Sequence, residues 1–79
     1  MITKMSVADM ESGETGKVVE LLGGAGMQNR LKSLGIRPGA KISKVNSAFN
    51  RGPVVLKVGR AQAVLGFGVS YKVFVEVDR

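Results

Sequence analysis

The side chains that most often carry out enzymatic chemistry are scarce in this sequence. It contains no histidine and no cysteine, so it lacks the commonest general base, the most nucleophilic side chain and the usual ligands of zinc. Serine, threonine, lysine and carboxylate groups are present, but their spacing predicts no catalytic pair. We therefore expect a protein with no catalytic residues and no cofactor.

Two sets of residues near the N-terminus offer weaker chemistry. Asp9, Glu11 and Glu14 could bind a hard cation, but they lack the glycine-punctuated spacing of a calcium loop. Four methionines could supply soft thioether ligands, but Met10 and Met27 fall at positions expected in the core, and Met1 and Met5 lie at the N-terminus. Surface charge and packing are the favoured interpretations, so no metal site is predicted. Direct, weak binding of iron by the carboxylates stays open as an alternative.

Two glycine-rich segments resemble loops that hold phosphate groups. The residues at 23–26 read GGAG and precede a predicted helix, whose N-terminal N–H groups would suit an anion. However, neither a following Lys-Ser/Thr pair nor the full GxGxxG spacing is present. The segment at 66–68, GFG, has no third glycine. Backbone geometry at a turn is therefore favoured for both, with a turn or a single helical turn expected at 66–71.

A cluster of basic residues surrounds the predicted helix and the strand after it. The chain has twelve Lys and Arg against six Asp and Glu, a net charge of +6, and the basic residues never form a continuous run. Such a balance suits an acidic protein surface, nucleic acid or an anionic membrane face. Single-stranded nucleic acid usually also requires aromatic platforms, and only Phe49 is near the cluster in sequence. An acidic protein partner is the first hypothesis and nucleic acid the alternative, with the candidate contacts at Arg30, Lys32, Arg37 and Arg51.

One amphipathic helix is predicted at about 25–34. Met27, Leu31 and Leu34 recur at i, i+4 and i+7, so they are expected to form one inward apolar stripe. Gly35 is placed for the left-handed residue of a Schellman motif, which would bring Ile36 against Leu31. The next pair, Pro38-Gly39, suits the central positions of a type II turn.

The remaining sequence has the alternation of β-strands. A short helical turn is expected within Thr3–Ser12, with Ser6 as its cap and Val7 and Met10 in the core. Val19 and Leu21 are assigned to one face of the first predicted strand and Val18 to the other. Val73, Val75 and Val77 share a face of the last one. The strands are predicted at 17–22, 40–49, 53–58, 62–65 and 72–78.

Lys44 interrupts the pattern of the second predicted strand, since it stands where an apolar residue is expected. A bulge or an edge position would explain this interruption. The connection at 50–52 leads to Pro53, which can open a strand because its missing N–H costs least there. About five short strands with tight turns and one inserted helix predict a mainly β fold, a small barrel.

The 79 residues are expected to form a single domain, 1–79. Without cysteine, its stability must come from the packing of Val, Leu and Ile rather than from disulfides. The N-terminal residues lack the apolar segment of a signal peptide, and no apolar run approaches the ~20 residues of a membrane span. We therefore expect a protein that does not insert into a membrane.

These motifs, in this order, resemble the ferrous iron transport protein A (FeoA) family. The matching segments are RLxxLGIxPG at 30–39, Gly52-Pro53 and LGxGxxxKVxVE at 65–76, while ExGxV at 14–18 is similar to the family's start. Two departures are Lys44, where the family usually has a strand hydrophobe, and Ser70, where it usually has alanine. Both are expected to loosen local packing.

The resemblance implies an SH3-like β-barrel and a cytoplasmic location. It further implies a non-catalytic accessory or regulatory role in ferrous iron uptake, exerted through protein–protein interaction with the membrane transporter FeoB. Metal-dependent repressors end in similar barrels, but they carry a DNA-binding domain in front, so no DNA binding is expected. Leu31, Leu34, Gly35, Pro38 and Gly39 are implied to be structural. The contact surface and any homo-oligomer remain open.

Overall fold

The computed structural model describes residues 1–45 and 52–79. The predicted connection at Asn50 and Arg51, and the end of the second predicted strand up to Phe49, lie outside these residues. The described elements are β1 (Ile2–Ser6), a 3-10 turn (Val7–Asp9), β2 (Thr15–Leu21), α1 (Ala25–Ser33), β3 (Lys41–Lys44), β4 (Val54–Val58), β5 (Ala61–Leu65), α2 (Phe67–Ser70) and β6 (Val73–Asp78).

The six described strands form one antiparallel sheet in the order β1-β6-β2-β3-β4-β5. Strands from β2 to β5 bury side chains in the same cluster, so the sheet curls around a single core. This mainly β arrangement with two short helices is SH3-like and confirms the predicted fold class. The core residues are Val7, Met10, Val18, Leu21, Leu31, Ile36, Ile42, Val54, Leu56, Ala63, Leu65, Val73, Val75 and Val77.

The end of α1 forms the predicted Schellman motif. The Ile36 N–H donates to the Leu31 carbonyl at 3.0 Å and the Gly35 N–H donates to the Lys32 carbonyl at 3.0 Å. Gly35 has a φ of 88°, and Leu31 and Ile36 are both buried. The predicted type II turn follows, since Gly39 has a φ of 94° and the Ala40 N–H donates to the Arg37 carbonyl at 2.9 Å. These local signals were sufficient because each motif fits within six residues.

The prediction of an inward apolar stripe on α1 was wrong at Leu34. Met27 is half-buried and Leu31 is buried, but the side chain of Leu34 is 44% exposed. α1 ends at Ser33, and Leu34 is its C-cap. From that point the chain turns, and Ile36 is buried in the core while Leu34 is not.

The N-terminal expectation was correct for residues 7–9 and wrong for residues 3–6. Val7–Asp9 is a 3-10 turn, and Val7 and Met10 are buried as predicted. Ile2–Ser6 is instead a strand that pairs with β6. The Ser6 hydroxyl lies 3.1 Å from the Asp9 carboxylate and makes no capping bond to the backbone. Pairing with a distant strand, which local propensity does not reveal, overrides the helical preference here.

The face assignment in β2 was also wrong. Its register with β6 shifts between Val18 and Glu20, which marks a bulge. Because a bulge adds one residue to one strand, the alternation reverses across it. Val18 and Leu21 are therefore buried, while Val19 is half-buried.

Lys44 lies neither at a sheet edge nor at a bulge. β3 is an interior strand between β2 and β4, and Lys44 is only 2% exposed. Its Nζ donates to the carbonyls of Ala8 at 2.9 Å and Met10 at 2.7 Å. The buried ammonium thus ties β3 to the 3-10 turn. Burial lowers the pKa of Lys44, whereas the negative charges of Asp9 and Glu14 act in the opposite direction.

Ser70, the second departure from the family pattern, does not leave an unpaired polar group. It is fully buried, and its hydroxyl donates to the Phe67 carbonyl at 2.5 Å. This bond closes the single turn of α2, as expected at 66–71. The hydroxyl of Ser70 is therefore satisfied within the helix itself.

Candidate protein-docking surface

The charges of the chain are separated along the sequence. All six acidic residues lie before Leu21 or after Val75, and the intervening segment has basic residues alone. In the folded protein, the acidic residues and the segment without them lie on different elements. Glu20 lies in β2, Glu76 and Asp78 lie in β6, and the other three acidic residues lie between β1 and β2, whereas α1, β3, β4 and β5 carry none.

Much of the acidic side is already paired within the chain. Glu20 accepts from Lys4 Nζ at 2.6 Å. Glu14 accepts from Arg79 at 2.8 and 2.9 Å and from the backbone N–H of Glu11 at 3.0 Å. These bonds, Arg79 first, lower the pKa of Glu14 to about 2. Glu14 is therefore a half-buried surface charge that is held in an ion pair with Arg79.

The C-terminal end of α1 positions the predicted cations. Arg30 and Lys32 lie in the last turn of the helix, where positive charge complements the partial negative charge of the helix end. The Arg37 guanidinium donates to the Lys32 carbonyl at 3.0 Å, so it serves as part of the helix cap. Arg30 and Lys32 are two residues apart and therefore point in different directions. All three side chains are exposed, and Arg51 lies outside the described residues.

The β4–β5 turn comes to the same end of the molecule. A Cβ added to Gly35 would lie 3.0 Å from Val58 Cγ1, so the end of α1 lies against the end of β4. Arg60 follows two residues after Val58, in the turn. Since Ile42 is paired with Val58, Lys41 also begins β3 at this end. The fold thereby gathers cations from four segments.

The outward side of β3, β4 and β5 continues from this end as two rows. One row consists of Ser43, Lys57 and Gln62, which are register partners across the three strands. The next consists of Val45, Val55 and Val64, with Val45 46% exposed and Val64 63% exposed. We call the exposed cations of this region the basic surface; they are Arg30, Lys32, Arg37, Lys41, Lys57 and Arg60.

Sequence reasoning did not single out Lys57 and Arg60. The available signal was the absence of acidic residues from 21 to 75, which is more informative than the overall charge. A strand cation that alternates with buried neighbours must point outward. The two observations together would have identified Lys57.

The described residues offer little for other kinds of site. They contain no group of three or more His, Cys, Asp or Glu residues able to hold a metal ion, and they enclose no pocket. The first glycine loop begins α1: Gly24 is its N-cap, and the Gln28 side-chain amide donates to the Gly23 carbonyl at 3.0 Å. This supports the interpretation of that loop as backbone geometry.

The aromatic rings in the described part of the chain lie away from the basic surface. Phe67 and Tyr71 form an edge-to-face pair at 5.0 Å within and after α2. Phe74, in β6, lies beneath Lys4 Nζ at 5.5 Å. Strands β3, β4 and β5 therefore present no stacking platform for nucleotide bases.

The sheet and its two short helices define a small SH3-like domain, and its exposed cations form the basic surface. A family model described as FeoA domain matches residues 5–77, nearly the whole chain. The chain belongs to the FeoA family. Membership supports a role in ferrous iron transport. Neither described helix has the length and apolar character needed to cross a bilayer.

Solved structures agree with this assignment. An iron uptake regulatory protein (FeoA) is 32% identical over 98% of this chain and all of that chain, with a TM-score of 0.85. Iron(II) transport protein A from Clostridium thermocellum is 25% identical, with a TM-score of 0.84 over 92% of this chain and 45% of that one. A manganese-dependent transcriptional repressor shares the fold at 16% identity and a TM-score of 0.86; the chain covers 44% of it. No curated protein matches the chain.

Proposed function

We propose that this protein is a non-catalytic accessory or regulator of ferrous iron uptake. It acts in the cytoplasm by binding the cytoplasmic portion of a FeoB-type membrane transporter. Family membership carries the iron transport part of the proposal. The basic surface supports the binding part, because its cations lack acidic neighbours on their own elements and are free to meet an acidic partner.

The proposed contacts are the exposed cations at the end of α1. Arg30, Lys32 and Arg37 project from an element that is fixed by the Schellman motif, so their backbone positions are defined before binding. Charges at an interface rim mainly raise the association rate and make it depend on salt. Arg51 stays a predicted contact.

Nucleic acid is the second candidate from the sequence, and the basic surface alone would suit it. The aromatic residues needed for stacking lie on other elements in the described part of the chain. A protein partner is therefore favoured.

Ferrous iron uptake by cells that lack this protein tests the proposal. The wild-type chain is expected to restore uptake, and Lys32→Glu combined with Arg30→Glu is expected to restore it poorly. Two charge reversals outside the basic surface, Lys4→Glu on β1 and Lys72→Glu just before β6, provide a control with the same net charge. Uptake that does not depend on the protein would reject the iron role. Equal rescue by both double variants would reject this contact surface.

A further inference from the structure

Among the strands that the structure describes, β5 is an edge strand whose one neighbour is β4. Val55 of β4 accepts from the Val45 N–H at 2.8 Å, so its backbone is directed towards β3. Because bonding directions alternate along an antiparallel strand, the neighbours of Val55 are directed towards β5, where Ala63 is one partner. Gln62 and Val64 therefore point their N–H and C=O groups away from the sheet. No described residue bonds to these groups.

Edge strands usually carry features that prevent pairing, such as a charge, a proline or a bulge. Between Ala61 and Leu65 the described β5 has none of these, and it leaves Val64 63% exposed. The other edge differs, because β1 carries Lys4 in an ion pair with Glu20. The β5 edge is thus the one suited to accept another strand.

The side chains around β5 define what such a strand should carry. Arg60 precedes β5 at the basic end, and Lys57 is the register partner of Gln62. Val64 lies at the other end, in the row with Val45 and Val55. An added strand would place one side chain beside Gln62 and the basic residues, and another, two residues on, beside Val64. A carboxylate suits the first position and an apolar side chain the second.

We propose that β5 binds an extended acidic segment of a protein partner as an added strand, with a carboxylate near Lys57 and Arg60 and an apolar side chain against Val64. This inference rests on the proposed function only where it identifies the partner as the transporter. The acidic and apolar character of the bound segment is inferred from β5 and its neighbours. A second copy of the chain fits less well. Its β5 is uncharged and flanked by Arg60, and each chain carries a net charge of +6.

The test is an NMR titration of the full chain with a capped heptapeptide in which glutamate and valine alternate. We expect saturable shifts of the Gln62 and Val64 amides, with a dissociation constant below about 1 mM, and slower solvent exchange of both amide protons. A heptapeptide of alternating lysine and valine is the matched control and should produce neither effect. Shifts without slower exchange at Gln62 and Val64 would mean adsorption to the basic residues and would overturn strand addition.

Two variants at Val64 test the edge, one by its side chain alone and one by its side chain together with its backbone N–H. Val64→Asp keeps the backbone groups and adds a like charge, so the acidic peptide should bind at least about tenfold more weakly. Val64→Pro removes an outward N–H, which an edge strand tolerates, together with the valine side chain, and should also abolish binding. The same changes at Ile2 of β1 are controls. Unchanged binding by Val64→Asp would overturn the inference, whether or not Val64→Pro folds.

Other occupants give distinct results. Slower exchange of Gln62 and Val64 that increases with chain concentration, without peptide, would assign the edge to a second copy. Equal protection by a single-stranded oligonucleotide would assign it to nucleic acid. Either result overturns the acidic-segment proposal. Transporter binding that leaves both amides unprotected would reject the edge inference and retain the proposed function. Peptide binding without transporter binding would retain the edge inference and reject the proposed function.

Discussion

Replacing Lys44 with methionine tests the most unusual feature of the core, a buried ammonium. Methionine keeps an unbranched apolar side chain but removes the donor that serves the carbonyls of Ala8 and Met10. A buried acceptor left without a donor costs about 1–3 kcal/mol. The loss for two acceptors is reduced, because the variant no longer buries a charge. We expect the free energy of unfolding to fall by about 1–4 kcal/mol, out of a total of about 5–15 kcal/mol for a typical domain.

The lowered pKa of Lys44 also predicts how the stability difference between wild type and Lys44→Met changes with pH. The pKa of Lys44 is lowered in the folded protein, so the unfolded state binds more protons between that pKa and 10.5. The stability contributed by this residue therefore rises with pH across that window. Groups elsewhere titrate in both proteins. The difference in stability between wild type and Lys44→Met should accordingly grow in favour of wild type as the pH becomes alkaline.

Urea unfolding of both proteins, monitored by far-UV circular dichroism at several pH values, measures these effects. Lys57→Met is the control, because it removes an exposed strand cation of the same type and should change stability by less than about 0.5 kcal/mol. If Lys44→Met were as stable as wild type at neutral pH, the ammonium would not hold the 3-10 turn as described. A stability difference that stayed constant with pH would refute the lowered pKa.

Two further predictions concern the core and the ion pair at Glu14. Leu31→Ala should lower the free energy of unfolding by about 2–5 kcal/mol, because it leaves a cavity at a buried site. Leu34→Ala should lower it by less than about 1 kcal/mol, because Leu34 is 44% exposed. Equal losses in urea unfolding would show that α1 does not dock as described. Glu14 has its pKa lowered to about 2, so its contribution should be complete above its ordinary value of 4.5 and be lost as the pH falls towards 2. In acid titrations Glu14→Gln should lack this component, and identical acid unfolding of the two proteins would contradict the ion pair with Arg79.

The sequence was most predictive where structure is local. The helix end at Gly35 and the turn at Pro38-Gly39 require only residues that are close in sequence, and both form as expected. The alternation of Val73, Val75 and Val77 also identifies β6, because a strand with one buried face has period two.

The sequence was less predictive where distant residues decide the outcome. Ile2–Ser6 becomes a strand because β6 offers a free edge, and the bulge in β2 reverses its buried face. Lys44 can be buried because carbonyls 34 and 36 residues away accept hydrogen bonds from its ammonium group. None of these partners is visible in a local pattern. The basic surface was predicted in part, since its strand members become neighbours only through sheet register.

Direct titration against the soluble cytoplasmic portion of a FeoB-type transporter tests the central claim that this protein acts by binding. The measurement is made at about 50 mM and about 300 mM ionic strength, which changes the screening of surface charges. We predict saturable binding at low salt that weakens at high salt, and further weakening by Lys32→Glu with Arg30→Glu. Absence of binding at both ionic strengths would contradict the claim.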